Sequence, residues 1–456
     1  MRRTVIALTG ISLVLVTSLA TPRTAAAGVT IIHVTTTVDA IADDGACSLR
    51  EAVIAANTNA QVDTCAAGSA SGDLDNIDIP EGTYTLALAG AGEDAAATGD
   101  LDLLGSVGID GPPEGELVVI DAAGLDRVFD VHASADRVFF RRVTIANGAA
   151  AGDSGGGVRV ASSGDLNPDG GCTASLSAAF TRAVVRDSVA DLGGGIDAGQ
   201  CASLEVIWSS VVDNSAIGDG GGFAIDGDAG SAVILHSTIS GNVAGGRGGG
   251  LWAGGAVSGG LFLTTTAHNQ AGQGGGIALE ASSFQSFAIS DSVLAHNGGG
   301  DCWLETGEEV YTRYSLDSDG TCGDGPGVIA SADPLLLPRD TRPVAYRLGA
   351  GSPAIDAAAP DCPAGIDSTQ DQYFTFRPLD GDGDGQAVCD MGSSEAPEVA
   401  VEPAPSPTDG GGGGVALPDT AAAVLPELYF AFAGVALLIA SGCIVLQRPA
   451  MRRRPS

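Results

Sequence analysis

A motif of three glycines followed by an apolar residue recurs along the middle of this chain and constrains its fold more than any other feature. The apolar residues take one long step and then recur with a nearly constant period: Val158, Ile196, Phe223, Leu251 and Ile277. A second marker takes the same long first step and then keeps the same period: Asn147, Asp187, Asn214, Asn242, Asn269 and Asn297. Two markers that share one period indicate repeated units that stack on one another.

The segments between the markers have the composition of short strands. They are four to six residues long, rich in β-branched residues and bounded by Gly, Asp, Asn and Ser, as around Val206 and Val233. We therefore predict an all-β fold, a right-handed parallel β-helix in which residues one period apart become neighbours at about 4.8 Å. Asn side chains in one column could then hydrogen-bond from coil to coil. A leucine-rich repeat would need a helix or consensus leucines in each unit, and disorder would not space apolar residues evenly.

The long step between Asn147 and Asp187 contains an insertion, which we place at about Ser162–Ala178. It carries Cys172, and Cys201 follows nearly one period later. Stacked coils would bring these two cysteines within disulfide distance.

Cysteine usage indicates an oxidising compartment. Eight of the nine cysteines precede the C-terminal apolar stretch, and an even number outside the cell favours disulfides over zinc, since the chain has no C-x-x-C or Cys/His spacing. Neighbouring cysteines are the predicted partners: Cys47–Cys65, Cys172–Cys201, Cys302–Cys322 and Cys362–Cys389.

Both ends have the pattern of export and anchoring signals. Residues 1–27 combine a basic start, an apolar run and small residues before Gly28, which predicts a secretory signal peptide. The apolar stretch Leu428–Leu446, which contains Cys443, is long enough for one transmembrane helix, and an Arg-rich tail follows it. Leu417–Ala421 resembles a sortase cell-wall sorting signal, although the usual Gly is Ala421 here. A permanent membrane anchor and sortase attachment therefore both stay open.

The residues after Gly28 predict a strand and then a helix. Val34–Asp39 has strand composition. Ser48 with Glu51 three residues later is a capping box, which predicts a helix through about Asn57. One apolar face of that helix would cover the open end of the solenoid.

Two segments resemble known families. The run Cys47–Ala52 spells the signature of the CSLREA domain, and Ile77–Tyr84 is similar to the N-terminal region of that group. Gly351–Asp356 and Cys389–Gly392, with Arg377 and Pro378, resemble the choice-of-anchor Q segment that often closes bacterial parallel β-helix surface proteins. The resemblance spans about Gly28 to Glu395, and it implies a fold and a location rather than a chemistry.

These features predict six segments in chain order. They are a signal peptide (1–27), a CSLREA-type N-terminal cap (28–79), a parallel β-helix (80–330), a choice-of-anchor Q-like segment (331–395), a Pro/Gly linker (396–416), and a sorting-signal-like motif with the transmembrane helix and Arg tail (417–456).

The net charge of the chain limits the kinds of partner that we expect it to bind. The chain carries a net charge of −35 and contains no lysine. Nucleic acid binding needs clustered basic residues, so we expect no nucleic-acid partner. The predicted partners are a polysaccharide or another surface protein, and the membrane or the cell wall.

One acidic motif suggests calcium. Asp380, Asp382 and Asp384 alternate with glycines, and Asp390 follows. Alternating carboxylates can surround Ca²⁺, although the bidentate Glu of a full EF-hand loop is replaced by Met391. We predict these four aspartates as ligands of a structural calcium ion, with a plain acidic turn as the alternative.

The sequence thus predicts an exported, surface-anchored protein that acts without catalysis, in adhesion, ligand display or envelope structure. The alternative is a carbohydrate-active enzyme, a polysaccharide lyase or glycoside hydrolase. An enzyme would need paired carboxylates or an Arg beside acids on one face of the solenoid. The residues that could supply them are Asp187, Asp213, Asp219, Arg159 and Arg186.

Overall fold

The protein is described by a computed structural model over residues 29–69, 73–113, 117–164, 166–167, 171–227, 230–280, 286–305, 310–360, 362 and 369–398. This part of the chain forms one helix, α1 (Leu49–Thr58), and 32 short strands. The first sixteen strands are β1 (Thr30–His33), β2 (Asp75–Asp78), β3 (Gly82–Thr85), β4 (Leu101–Leu103), β5 (Val107–Asp110), β6 (Val118–Asp121), β7 (Phe129–Val131), β8 (Arg137–Arg141), β9 (Thr144–Ala146), β10 (Ala149–Ser154), β11 (Val158–Val160), β12 (Leu176–Thr181), β13 (Val184–Arg186), β14 (Val189–Leu192), β15 (Ile196–Ala198) and β16 (Ala202–Ile207). The other sixteen are β17 (Ser210–Val212), β18 (Ser215–Ala216), β19 (Phe223–Ile225), β20 (Gly230–Leu235), β21 (Thr238–Ser240), β22 (Val243–Ala244), β23 (Leu251–Ala253), β24 (Val257–Phe262), β25 (Thr265–Ala267), β26 (Ile277–Leu279), β27 (Ser286–Ser290), β28 (Val293–Ala295), β29 (Cys302–Leu304), β30 (Tyr311–Arg313), β31 (Leu316–Asp317) and β32 (Ile329–Ala330).

The strands form three long parallel sheets and one short one. The first sheet has the order β1-β2-β5-β8-β12-β16-β20-β24-β27-β30, and the second β3-β6-β9-β13-β17-β21-β25-β28-β31-β32. The third is β4-β7-β11-β15-β19-β23-β26-β29, and the short sheet is β10-β14-β18-β22. The chain visits the three long sheets in turn and returns beside its previous strand. It therefore forms stacked coils. We number the coils 1 to 8, and each coil ends with one of the eight described strands of the third sheet, so that coil 1 ends with β4 and coil 8 with β29.

This architecture confirms the predicted all-β fold with parallel sheets and is consistent with a parallel β-helix. Within the described ranges no helix has both the length and the apolar character needed to cross a membrane. The predicted signal peptide, sorting motif and transmembrane stretch Leu428–Leu446 lie outside those ranges, as does most of the Pro/Gly linker.

The interior is built from columns of apolar side chains that the parallel register aligns. In the first sheet Ile109, Phe140 and Phe180 occupy paired positions, and the rings of Phe140 and Phe180 stack with centroids 4.9 Å apart. The residues after the glycine triplets form one column of the third sheet: Val158, Ile196, Phe223, Leu251 and Ile277. All five are fully buried, so the predicted repeat corresponds to the core of the coils.

The glycine triplets allow the backbone to turn at a crowded corner. Gly193, the first glycine of its triplet, has a φ of +60°, a conformation that favours glycine. A Cβ atom on Gly222, the last of its triplet, would lie 2.5 Å from the carbonyl oxygen of Gly250 on the next coil. The corner therefore excludes side chains because the coils are in backbone contact there.

The asparagine ladder is present, but in its first two coils it lies one residue later than predicted, at Gly148 and Ser188. Asn214, Asn242, Asn269 and Asn297 are buried and bond to one another in series. The ladder then continues through Ser188, whose amide donates to Asn214 at 3.0 Å, and reaches Gly148. The assignment of Asn147 and Asp187 to the ladder was wrong, because both lie one residue earlier, at a left-handed corner with φ values of 57° and 54°.

A second corner, between the first and second sheets, is also left-handed. The residues there have positive φ values and include Arg142 (57°), Arg182 (54°), Trp208 (49°) and His236 (47°). They recur once per coil, so their side chains form a row along the stack. This row is unusual because large side chains rather than glycines occupy the left-handed conformation.

The helix predicted to begin after Ser48 is confirmed as α1, with Ser48 as its N-cap. Ser48 accepts from the amide of Glu51 at 3.1 Å, and the Glu51 carboxylate accepts from the amide of Ser48 at 2.9 Å. Helix α1 contacts β1, β2 and β4, the first strands of the first and third sheets among them. The strand predicted for Val34–Asp39 was wrong, since β1 ends before it and Asp39 binds Arg50 instead.

The side chain of Arg50 links separate parts of the N-terminal region. Its side chain is fully buried and forms a two-point ion pair with Asp39, at 2.7 and 3.1 Å. It also donates to the carbonyl oxygens of Ala96, Gly99 and Asp100 at 2.8–3.0 Å. Arg50 thereby joins α1 to the loop that leads into β4.

The four predicted disulfides are confirmed. Their Cα–Cα distances are 5.0, 5.8, 5.0 and 5.7 Å for Cys47–Cys65, Cys172–Cys201, Cys302–Cys322 and Cys362–Cys389. The predicted insertion is shorter than expected, because β12 already begins at Leu176.

The C-terminal segment, residues 331–395, lies across the outer face of the second sheet where the structure describes it. Gln372 donates to the carbonyl oxygen of Ser209 at 2.9 Å and accepts from the hydroxyl of Thr238 at 2.7 Å. The hydroxyl groups of Ser240 and Tyr346 lie 2.8 Å apart. The outward Ser and Thr side chains of this sheet are therefore buried rather than exposed to solvent.

Candidate functional site

A groove of about 840 Å³ opens where the C-terminal segment meets the stacked coils. Residues of coils 2 to 5 form its floor, and residues 339–344 with 372 and 374 form its wall. We call it the arginine groove, after the five arginines that line it: Arg142, Arg182, Arg186, Arg339 and Arg342. Its volume lies within the range of about 300–1,000 Å³ that small-ligand sites occupy.

The groove is rich in arginine, although the molecule as a whole carries a strong negative charge. The sequence contains fourteen arginines between residues 29 and 398, and five of them line the groove. Only two acidic residues, Asp213 and Asp340, are among the described lining residues. On a chain with a net charge of −35, the groove is therefore a local concentration of positively charged side chains.

The floor of the groove places two guanidinium groups on adjacent coils. Arg142 donates through Nε to the carbonyl oxygens of Gly111 and Pro112, at 2.9 and 3.0 Å. Arg182 lies in the same left-handed row one coil further on. Its guanidinium carbon is 4.1 Å from the ring centre of Phe374 and 5.8 Å from that of Trp208.

The wall is attached by an ion pair. Arg339 donates to the two carboxylate oxygens of Asp213, at 3.1 and 2.5 Å. This pair joins the C-terminal segment to coil 5. Two other groove arginines also face acids, Arg142 with Asp110 at 3.7 Å and Arg186 with Asp187. Arg342 is exposed beside Arg339, and its guanidinium makes no hydrogen bond or ion pair within the described part of the chain.

Two aromatic rings complete the site. Trp208 donates through its indole nitrogen to the carbonyl oxygen of Gln370 at 3.4 Å, and its ring centre is 6.1 Å from that of Phe374. Phe374 is 37% exposed and has a φ of 63°. A large side chain held exposed in a strained backbone conformation favours a functional role over a packing role.

Both acidic residues in the described lining of the groove already have hydrogen-bond or ion-pair partners. Asp213 binds Arg339, as described above. Asp340 accepts from Arg347 at 3.1 Å and from the Tyr373 hydroxyl at 2.9 Å. The described lining therefore suits the binding of an anion better than acid–base catalysis, which needs a carboxyl group free to exchange its proton.

The structure separates the four predicted calcium ligands. Asp380 and Asp382 lie together with Asp356, with one oxygen of each within 4.8 Å of the others. Asp384 instead accepts from the amide of Gln386 at 2.8 Å. Asp390 is buried and accepts from the amide of Asp356 at 2.7 Å, so it binds the backbone of that cluster. The calcium site stays a prediction, with Asp356 as a candidate that sequence reasoning missed.

Beside this cluster, Arg377 holds the end of the C-terminal segment in place. It donates to the carbonyl oxygens of Asp390 and Gly392 at 2.9 and 2.8 Å. Burial raises the pKa of Asp390 to about 6 and that of Glu395 to about 7, while Arg377 opposes both shifts.

The residues considered for catalysis fall in different places. Arg186 and Asp213 line the groove, and Asp187 pairs with Arg186. Asp219 binds Arg247 at 3.0 Å. Arg159 lies on the third sheet, where it binds Asp130. The structure therefore brings Asp187, Asp213 and Arg186 to one region and places Asp219 and Arg159 with other partners.

Arg159 has a further acidic neighbour. Asp197 is paired with it in register on the next coil and is 7% exposed. Burial, and to a smaller extent Asp226 and Asp153, raise the pKa of Asp197 to about 7. A carboxyl group that is protonated near neutral pH can act as a general acid.

Sequence reasoning missed most of the groove. Arg142, Arg182 and Trp208 follow the same long step and regular period as the repeat markers, so their alignment in one row was accessible from the sequence. Arg339, Arg342 and Phe374 lie outside the repeat and carry no such signal.

Comparison with family models, curated proteins and solved structures finds no match for this chain.

Proposed function

We propose that this protein is exported, anchored at the cell surface, and acts by binding a ligand in the arginine groove without transforming it. The observation that carries the proposal is the groove itself, an arginine-lined surface on an acidic molecule whose described lining carboxylates are both engaged. Adhesion and ligand display need a binding surface and no reaction.

The fold supports a display role. We propose a right-handed parallel β-helix, because parallel crossover connections are right-handed in about 98% of cases. Helix α1 would cap its N-terminal end, since the helix packs on the first strands of the first and third sheets. The resemblance to CSLREA-domain and choice-of-anchor Q proteins belongs to this proposal and agrees with the role found for Arg50 in the first motif and Arg377 in the second.

Extracellular location is supported by the four disulfides, which persist in oxidising compartments. We propose export through the N-terminal signal and retention through residues 417–456. Retention would occur either by a membrane helix or by sortase attachment to the wall.

A carbohydrate-active enzyme is the second candidate, and Asp197 is the observation that favours it. Its raised pKa and its position beside Arg159 would suit a general acid on the outer face of the third sheet. This region lies apart from the arginine groove, so the two candidates predict different active residues.

The test is a joint binding and turnover screen of the protein against acidic and neutral polysaccharides, with and without calcium. Hydrolysis releases new reducing ends, and lyase action produces new ultraviolet absorbance. We expect binding without either product. Turnover that is lost in Asp197→Asn would replace the binding role by the enzymatic one.

A further inference from the structure

We infer that the arginine groove binds an acidic polysaccharide whose charges are carboxylates, that is, a chain of uronate sugars. This inference rests on the proposed binding function and names the ligand class. It follows from three properties of the groove: the arrangement of its charges, its direction along the solenoid, and its aromatic rings.

The charges suit carboxylates spaced along a chain. Arginine presents a planar pair of N–H groups that matches a carboxylate at two points. Arg142 and Arg182 occupy the same row on adjacent coils, which lie about 4.8 Å apart in a parallel stack. Arg342 adds an exposed guanidinium group to the lining, and Arg186, which pairs with Asp187, lies in the lining as well.

The groove extends along the coil axis. Its floor takes residues from four successive coils, from Leu117 on coil 2 to Val212 on coil 5. Three steps between coils correspond to about 14 Å, so the groove has the length of a short oligomer rather than of a single small ion.

The aromatic rings suit a sugar. Trp208 and Phe374 lie beside Arg182, with their centres 6.1 Å apart. An exposed aromatic ring can stack on the apolar C–H face of a sugar ring, while the adjacent guanidinium group binds its carboxylate. A flexible acidic peptide would offer carboxylates without such a ring.

The rest of the surface limits the density of charge that the groove accepts. Because the molecule carries a net charge of −35, a densely charged polyanion that extends beyond the groove would be repelled. A polyuronate has one carboxylate per sugar. Its short bound stretch can match the arginines without needing a basic surface on either side.

Calorimetric titration of the full-length chain in mild detergent, with a chelator to exclude calcium, tests the inference. The probes are hexagalacturonate, the neutral maltohexaose, and a short poly-glutamate peptide. We expect hexagalacturonate to bind at least about ten-fold more tightly than either of the others and to weaken as salt is added. Equal binding of the neutral sugar, or tighter binding of the peptide, would overturn the inference.

Matched variants locate the site. Arg182→Gln and Arg342→Gln should each weaken hexagalacturonate binding by about ten-fold, since each removes a charge-assisted contact. Arg342 is exposed, so its variant should keep the melting temperature of the parent protein. Arg137→Gln, an exposed residue outside the groove, is the control and should bind normally.

The outcomes separate the two proposals. If another polysaccharide or a surface protein binds while hexagalacturonate does not, the ligand class is wrong and the binding function stands. If hexagalacturonate binds both groove variants as tightly as it binds the parent protein, the proposed site is wrong. If no probe and no polysaccharide in the wider screen binds, both proposals fail.

Discussion

The side-chain amide of Asn242 donates to Oδ1 of Asn269 at 2.9 Å, and the main-chain amide of Asn242 donates to the same oxygen at 3.0 Å. Both residues are buried, on coils 6 and 7. One oxygen therefore satisfies two donors of the coil below it, and the same contact links Asn214 to Asn242. The ladder bonds the coils where the second sheet ends and the backbone turns.

Replacing one ladder residue should therefore destabilise the fold strongly. Asn242→Ala leaves the buried donors of Asn214 without their acceptor, which should cost about 3 kcal/mol of the free energy of unfolding. Asp187→Asn is the matched control, because Asp187 lies just outside the ladder in a surface ion pair worth less than about 1 kcal/mol. Chemical denaturation measures both, and equal losses would contradict the position of the ladder.

The glycine corner makes a second prediction. A Cβ atom on Gly222 would meet the Gly250 carbonyl oxygen at 2.5 Å, whereas one on Gly105 would have no atom within 4 Å. Gly222→Ala should lower the free energy of unfolding by about 3 kcal/mol, because the backbone of two coils must separate. Gly105→Ala should be neutral or stabilising by up to about 1 kcal/mol. Thermal melting of the two variants side by side distinguishes a crowded corner from a general intolerance of alanine.

Arg50 makes a third prediction. Arg50→Met should cost about 3–5 kcal/mol, because it leaves the buried Asp39 carboxylate without its cation. Although burial favours the neutral form, hydrogen bonds from Arg50 and from the amide of Ala87 hold the pKa of Asp39 below its usual value. The exposed Arg137→Met is the control and should change stability by less than about 0.5 kcal/mol. A similar small loss in both variants would show that the ion pair does not hold the N-terminal region.

The buried acids predict an unusual dependence of stability on pH. Burial raises the pKa of Asp100 to about 8 and that of Asp197 and Glu395 to about 7. Between about pH 4 and pH 8 the folded state then binds more protons than the unfolded state, so the free energy of unfolding falls as the pH rises. We expect a higher melting temperature at pH 5 than at pH 8.

Asp197→Asn tests this linkage at one site. It should reduce the slope of the free energy of unfolding between pH 4 and pH 7 by up to about 1.4 kcal/mol per pH unit, the contribution of one proton. The control Asp136→Asn changes an exposed residue and should leave the slope unchanged. An unchanged slope in Asp197→Asn would show that this carboxyl group is ionised in the folded protein at neutral pH.

The acidic cluster near the C-terminal end makes the last prediction. If it binds calcium, calcium should raise the melting temperature of the parent protein, since a ligand that binds only the folded state stabilises it. Asp382→Asn should abolish the shift, and Asp324→Asn, an exposed acid elsewhere, should preserve it. No shift at millimolar calcium would leave Asp356, Asp380 and Asp382 as a plain acidic turn.

The repeat could be predicted because each coil contributes the same local chemistry. The residue after each triplet, such as Phe223, is apolar in every unit, and the corner before it excludes side chains. The ladder was misplaced at Asn147 and Asp187 because Asn and Asp also favour the left-handed corner one residue earlier. Composition could not separate two adjacent positions that accept the same residues for different reasons.

The groove could not be predicted because it depends on contacts between distant parts of the chain. Gln372 bonds to Ser210, 162 residues away, and Arg339 to Asp213, 126 residues away. The second sheet presents small polar residues outward, a pattern typical of a solvated face. Only the folded chain shows that another segment covers that face and leaves the arginines between them.

A crystal structure of the protein with bound hexagalacturonate tests the central claim most directly. We predict electron density for the oligomer along the arginine groove, with carboxylates on Arg142 and Arg182 and a sugar ring against Phe374. Density on the third sheet beside Asp197, or an empty groove at saturating ligand, would contradict it.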